Sequence, residues 1–182
     1  MPVSQQNPKL KMDQGTTSYL SLGSNLGDRL ANLQQARELL VPLASGKITC
    51  APVYQTAPLH CPPDSPAFLN TALSFETKLS PQELLTATQG IEAELGRAEK
   101  GTRAINAPRP IDIDILLFDE TVLTTPHLTI PHPRLHERLF VLHPLRDLAP
   151  SLTPPTHANP VSILLEICET TELPPLLLHQ EW

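Results

Sequence analysis

Residues 111–118 read Ile-Asp-Ile-Asp-Ile-Leu-Leu-Phe. Alternation through Ile115, followed by an apolar run, is the period-2 signature of a substantially buried β-strand. Side chains two apart share a face, so Asp112 and Asp114 point the same way, their Cα atoms roughly 6.5–7 Å apart. Ile111, Ile113 and Ile115 line the opposite face. Two like charges held close in a half-buried strand are costly unless a cation compensates. Magnesium suits that place, because it takes one or two carboxylates together with substrate phosphate oxygens. The same spacing also fits a solvated edge strand with an acidic outer face.

Around this strand the chain reads as short strands alternating with helices. Ser18 to Leu22 alternates and runs into Gly23-Ser-Asn-Leu-Gly-Asp28, a turn with a ready helix N-cap. Leu26, Leu30, Leu33 and Leu40 then recur at helical spacing. Ser80-Pro-Gln-Glu83 combines a capping box with proline at the first helical position, and Gly96 sits where that second helix should end. Ile48 to Tyr54 and Leu69 to Thr77 read as strands flanking a proline-rich loop. Two helices among hairpin-like strands predict an α+β sandwich, one domain from residue 18 to 182. Residues 1–17 read as a flexible lead-in. The proline-rich segment after Pro150, with Val161 to Ile167 as a short helix, is expected to pack peripherally.

Composition narrows the function. The 182 residues carry a net charge of −6, which argues against a broad nucleic-acid surface. No apolar run approaches the roughly 18 residues of a membrane span, and the polar start lacks a secretory signal's apolar stretch. Three cysteines cannot pair completely within the chain, so a reducing, cytoplasmic setting is expected. Collagen, coiled coil, disulfide scaffold and membrane protein are excluded.

The bases gather near the aspartates. Residues 97–138 hold six basic and six acidic side chains, leaving seven and thirteen for the rest. Carboxylates for a metal and arginines for phosphate oxygens, in one segment, are what polyphosphate chemistry needs. Unrelated surface ion pairs would look the same. The Gly23–Asp28 turn matches neither phosphate-binding glycine motif and reads as structural. Gln89 and Glu92 share a helix face, a nucleotide contact or a wet surface. His60 beside Cys61 lacks the spacing of a structural zinc site.

Taken together, Ser21-Leu-Gly-Ser-Asn-Leu-Gly-Asp28, Tyr54-Gln-Thr-Ala-Pro-Leu59, Phe68-Leu-Asn70, Gly96-Arg97, Pro108-Arg-Pro-Ile-Asp-Ile-Asp-Ile-Leu116 and Ile130-Pro-His-Pro-Arg-Leu-His-Glu-Arg-Leu-Phe-Val-Leu142 resemble the 6-hydroxymethyl-7,8-dihydropterin pyrophosphokinases of folate biosynthesis. The resemblance runs from Ser18 to Pro150. It implies a ferredoxin-like sandwich, a central antiparallel sheet flanked by helices, that moves diphosphate from ATP to the pterin hydroxymethyl group and releases AMP. It places two magnesium ions on Asp112 and Asp114, and phosphate contacts on Arg97, Arg109 and Arg138. Gln89, Glu92, Ile115, Thr129 and His132 fall at ATP-side positions. Thr56, Leu59, Phe68, Asn70 and Phe140 fall at pterin-side positions, the two phenylalanines able to sandwich a flat ring. Small-molecule substrates, no nucleic acid, no membrane and a monomer follow.

The resemblance also has departures. Family loops before Pro-Arg carry an aromatic and a glycine where Ile105-Asn106-Ala107 stands here, Ala57 replaces a frequent proline, and Glu99 a frequent base. A weaker or differently timed lid would follow. An Asp-x-Asp strand also serves metal-dependent glycosyltransferases, and a non-catalytic paralogue would keep the same motifs.

Overall fold

The computed structural model describes residues 15–58, 61–98, 107–169 and 175–182. Its first strand, β1, spans Thr16–Ser24, two residues earlier than the sequence pattern suggests. Helix α1 (Arg29–Leu40) follows, its N-cap Asp28 accepting from the Ala31 N–H. The expected strand over 48–54 is interrupted. It divides into β2 (Thr49–Cys50) and β3 (Val53–Thr56), because Pro52 cannot donate to the ladder. Thr71 Oγ1 donates across the break to the Ala51 and Pro52 carbonyls. Strand β4 (Phe68–Thr77) precedes α2 (Pro81–Glu94), whose Ser80–Glu83 capping box forms as read. Gly96 turns the chain at φ +86°, a conformation favouring glycine after a helix.

Strand β5 (Asp112–Phe118) pairs with β1, and with a last strand β8 (Leu176–His179) the path through the sheet runs β5-β1-β4-β3-β8, antiparallel throughout. With β2 and β3 counted as one broken strand, the β-α-β-β-α-β unit has the expected ferredoxin-like order. A small hairpin, β6 (Leu123–Thr124) with β7 (Thr129–Ile130), precedes α3 (Leu139–Leu148) and α4 (Val161–Glu169). Helices cover both faces. Leu33, Ala36, Leu40, Leu84 and Ile91 of α1 and α2 pack on Leu20, Leu22, Ile113 and Ile115. Leu139, Leu142 and Leu145 of α3 pack with Leu164 and Leu165 of α4 on Leu116 and Leu117.

The C-terminal segment, expected to be peripheral, enters the sheet. Strand β8 (Leu176–His179) pairs with β3 and forms the edge opposite β5. Trp182 packs against the core, donates from Nε1 to the Ala51 carbonyl at 2.8 Å, and lies under the Arg37 guanidinium. Among the described residues no helix is long and apolar enough to cross a membrane. Residues 1–14 of the expected lead-in lie outside the described residues.

Candidate active site

Strand register builds the floor. Asp112 stands opposite Gly23, Gly23 opposite Asn70, and Asn70 opposite Tyr54, one row across four strands. Asp114 stands opposite Ser21 and Ser21 opposite Ala72, the next row. Small residues at these places leave room above the sheet. A Cβ on Gly23 would lie 2.8 Å from Asn70 Oδ1, so glycine is required by that close approach. The start of α3 supplies the facing wall, and one cavity is lined by Thr56, Phe68, Asn70, Arg109, Asp112, Asp114, Arg138 and Phe140.

The charged end is crowded. Asp112 pairs with Arg97 at 2.6 Å and with Arg109. The Asp114 carboxyl is raised well above the usual range by burial and by the neighbouring Asp112, with Arg138, Arg97 and Arg109 pulling the other way. Arg97 also pairs with Glu92, which accepts the Ile113 N–H at 2.7 Å. Burial pushes the Glu92 carboxyl up to about 7 against those partners. Among the described residues no acceptor meets the buried Nε atoms of Arg97 and Arg109, two donors in want of a partner.

The neutral end is aromatic. Phe68 and Phe140 each carry an arginine over the ring, Arg109 and Arg138 respectively. Asn70 is 4 % exposed and donates from Nδ2 to Thr56 Oγ1 at 2.7 Å, which fixes its amide.

Among the described residues, Gln89, Glu92, Ile115, Thr129 and His132 do not line this cavity. Glu92 is inside the ion-pair network instead of on a wet surface, whereas Gln89 is solvent-exposed. The Ile115 side chain is buried in the core beneath the sheet, so its backbone is the part left to face a ligand. Ile113 N–H faces away from β1 toward Glu92, and in an antiparallel edge Ile115, two residues on, turns its N–H and C=O the same way. Thr129 is half-buried in β7. His132 donates its backbone N–H to the Leu116 carbonyl at 2.8 Å and accepts the Arg134 N–H at Nδ1. That leaves Nε2 protonated in the neutral ring. Burial, then Arg138 and Arg134, pull its pKa down to about 4. Leu59 and residues 99–106, including Glu99, Ile105 and Asn106, lie outside the described residues.

Ser21, Gly23, Ala57, Cys61, Arg134 and Glu137 also line the cavity and were not among the candidates. The Gly23–Asp28 turn, read as structural, borders the site. Its signal was two small residues, Ser21 and Gly23, in alternation with Leu20 and Leu22.

Residues 19–150 match the family model described as 7,8-dihydro-6-hydroxymethylpterin-pyrophosphokinase. The chain is 44% identical over 137 residues to a protein of Porphyromonas gingivalis named 2-amino-4-hydroxy-6-hydroxymethyldihydropteridine pyrophosphokinase, covering 75% of this chain and 92% of that one. A Bacillus subtilis protein of the same name is 46% identical over 133 residues, 72% of this chain and 77% of its own. The folic acid synthesis protein fol1 of Schizosaccharomyces pombe is 38% identical over 159 residues, and the chain spans only 21% of its length. In fold, the chain is similar to Plasmodium falciparum HPPK-DHPS in a crystal structure with pteroate, at TM-score 0.66, 16% identity, 91% of this chain and 43% of that one. With its match extending over most of the sequence, the chain belongs to the 7,8-dihydro-6-hydroxymethylpterin-pyrophosphokinase family of folate-synthesis enzymes.

Proposed function

We propose that the cavity transfers diphosphate from ATP to 6-hydroxymethyl-7,8-dihydropterin, giving the pterin diphosphate and AMP. The observation that carries this reading is one cavity with a carboxylate–arginine end and an aromatic–amide end, set side by side by strand register. The pterin ring fits between Phe68 and Phe140, with Asn70 and Thr56 at its polar edge. Its hydroxyl then faces the charged end, where the β-phosphorus of ATP belongs.

Asp112 and Asp114 suit two magnesium ions, since their carboxylates share a face and their own repulsion calls for a cation. Magnesium supplies charge neutralisation on the triphosphate oxygens when bound there. Arg97 and Arg109 turn their unpartnered Nε–H groups to oxygens of the transferred group, and Arg138 adds positive charge near Asp114. His132 offers its Nε2–H to the nucleotide, Ile115 its backbone edge to the base, and Thr129 and Gln89 the flanks. Leu59 is assigned to the pterin side by resemblance alone. Positioning and charge neutralisation provide most of the rate in this class of reaction. The protein works as a cytoplasmic monomer.

The test is AMP formation from ATP and magnesium, with and without the pterin. Pterin-dependent AMP that Asp112→Ala abolishes supports the reading. ADP instead of AMP would place the attack at the wrong phosphorus, and no product would leave a binding protein.

A further inference from the structure

Asn25 is buried, 1 % exposed, and belongs to neither end of the cavity. Its backbone N–H and both polar atoms of its side-chain amide are nevertheless bonded to the two walls. Its Oδ1 accepts the Arg109 N–H at 2.8 Å, and its own N–H donates to the Arg109 carbonyl at 3.2 Å. Its Nδ2 donates to the Pro66 carbonyl at 3.3 Å, two residues before Phe68. The turn carrying it is itself tied, because Asn32 Nδ2 donates to Ser24 Oγ and to the Leu26 carbonyl. Arg29, the first residue of α1, donates to the Ala67 carbonyl at 2.8 Å beside the same segment.

One amide therefore joins three segments far apart in sequence: the β1–α1 turn, the entry to β4, and the entry to β5. We infer that Asn25 is a positioning residue that sets Arg109 with one atom of its side chain and the Phe68 wall with another. A general-purpose turn residue would need only its backbone there. The side-chain oxygen governs the arginine that meets phosphate, and the side-chain nitrogen governs the ring that meets the pterin. Aspartate at this place keeps the oxygen and loses the donor to Pro66, so the two actions separate.

The inference rests on the roles proposed above for Arg109 and Phe68. The experiment is steady-state kinetics of the full chain for Asn25→Ala, Asn25→Asp, Arg109→Ala and the Asn25→Ala/Arg109→Ala double variant, with thermal melts of each. Asn25→Ala is expected to lower kcat about 100-fold, the scale of a displaced catalytic group, and to raise the pterin KM. Asn25→Asp should recover kcat to within a few-fold of the parent while the pterin KM stays high. The double variant should lose no more kcat than Arg109→Ala alone, since Asn25 acts on turnover through Arg109. Losses that multiply, or an aspartate variant that loses kcat and KM as the alanine does, would overturn the inference. Should Asn25→Ala fail to fold, the kcat-against-KM split in Asn25→Asp still decides it. Full turnover in Arg109→Ala would overturn both this inference and the phosphate role of Arg109. Full turnover in Asn25→Ala, with Arg109→Ala impaired, would overturn this inference alone.

Discussion

The guanidinium carbon of Arg109 lies 5.1 Å from the centroid of the Phe68 ring, and that of Arg138 lies 5.3 Å from the centroid of Phe140. Each aromatic side chain offered to a flat substrate is thus also a seat for an arginine of the charged end. The two halves of the cavity share parts.

Phe68→Leu keeps apolar volume but removes the π face from both arginine and pterin. Each stacking contact is worth about 1 kcal/mol, so losing both predicts a roughly 10- to 30-fold drop in kcat/KM for the pterin. Pterin titrations at saturating ATP would show it. An unchanged kcat/KM would remove Phe68 from the substrate wall.

Gly23→Ala places a methyl group 2.8 Å from Asn70 Oδ1. The Asn70 amide must shift, and its hydrogen bond to Thr56 with it. The expected result is a folded variant with a raised pterin KM and a nearly unchanged ATP KM. Equal changes in both constants would show that the methyl group disturbs the whole sheet.

Asp114→Asn should cut turnover by orders of magnitude while leaving the metal-free protein at least as stable as the parent at pH 8. Burial and Asp112 raise the Asp114 pKa in the fold. That contribution to stability is whole below the unfolded carboxyl pKa and lost as pH rises through the folded one, so the parent carries the full penalty at pH 8. Denaturation in chelator at pH 8 checks the stability, and the AMP assay checks turnover. A variant both active and less stable would contradict the assignment.

His132 gives the opposite sign. Its imidazole stays neutral in the fold down to about pH 4, against an ordinary value of 6.5. Stability from this group is complete above pH 6.5 and declines as acid is added toward 4, by on the order of 3 kcal/mol in all. His132→Gln should flatten that part of the acid slope. Denaturant midpoints at pH 7.5, 5.5 and 4.5 for both proteins would reveal it, and parallel slopes would refute it.

Local periodicity carried much of this site into the sequence. The shared face of Asp112 and Asp114 follows from a period of two, and the start of α2 follows from four consecutive residues, Ser80 to Glu83. The partners of Asn25 did not show, because Pro66 and Arg109 reach it only after β1, β4 and β5 have paired. Helix α3 was obscured by Pro144 inside it, and burial of Val141, Leu142 and Leu145 outweighs that break. Leu176 to Leu178 lack alternation, and only pairing with β3 makes them a strand. Ile115 shows the limit of position-by-position transfer: its side chain belongs to the core, and only its backbone faces the strand's free edge.

The reactive strand and the C-terminal strand close the sheet at opposite margins, β5 on one and β8 on the other. Four inter-strand spacings, roughly 19 Å, separate them. Additions grafted beyond β8 would lengthen the sheet away from β5, the strand that carries Asp112 and Asp114. The architecture therefore has a growing margin and a working margin, and engineering at the first should be invisible to turnover at the second.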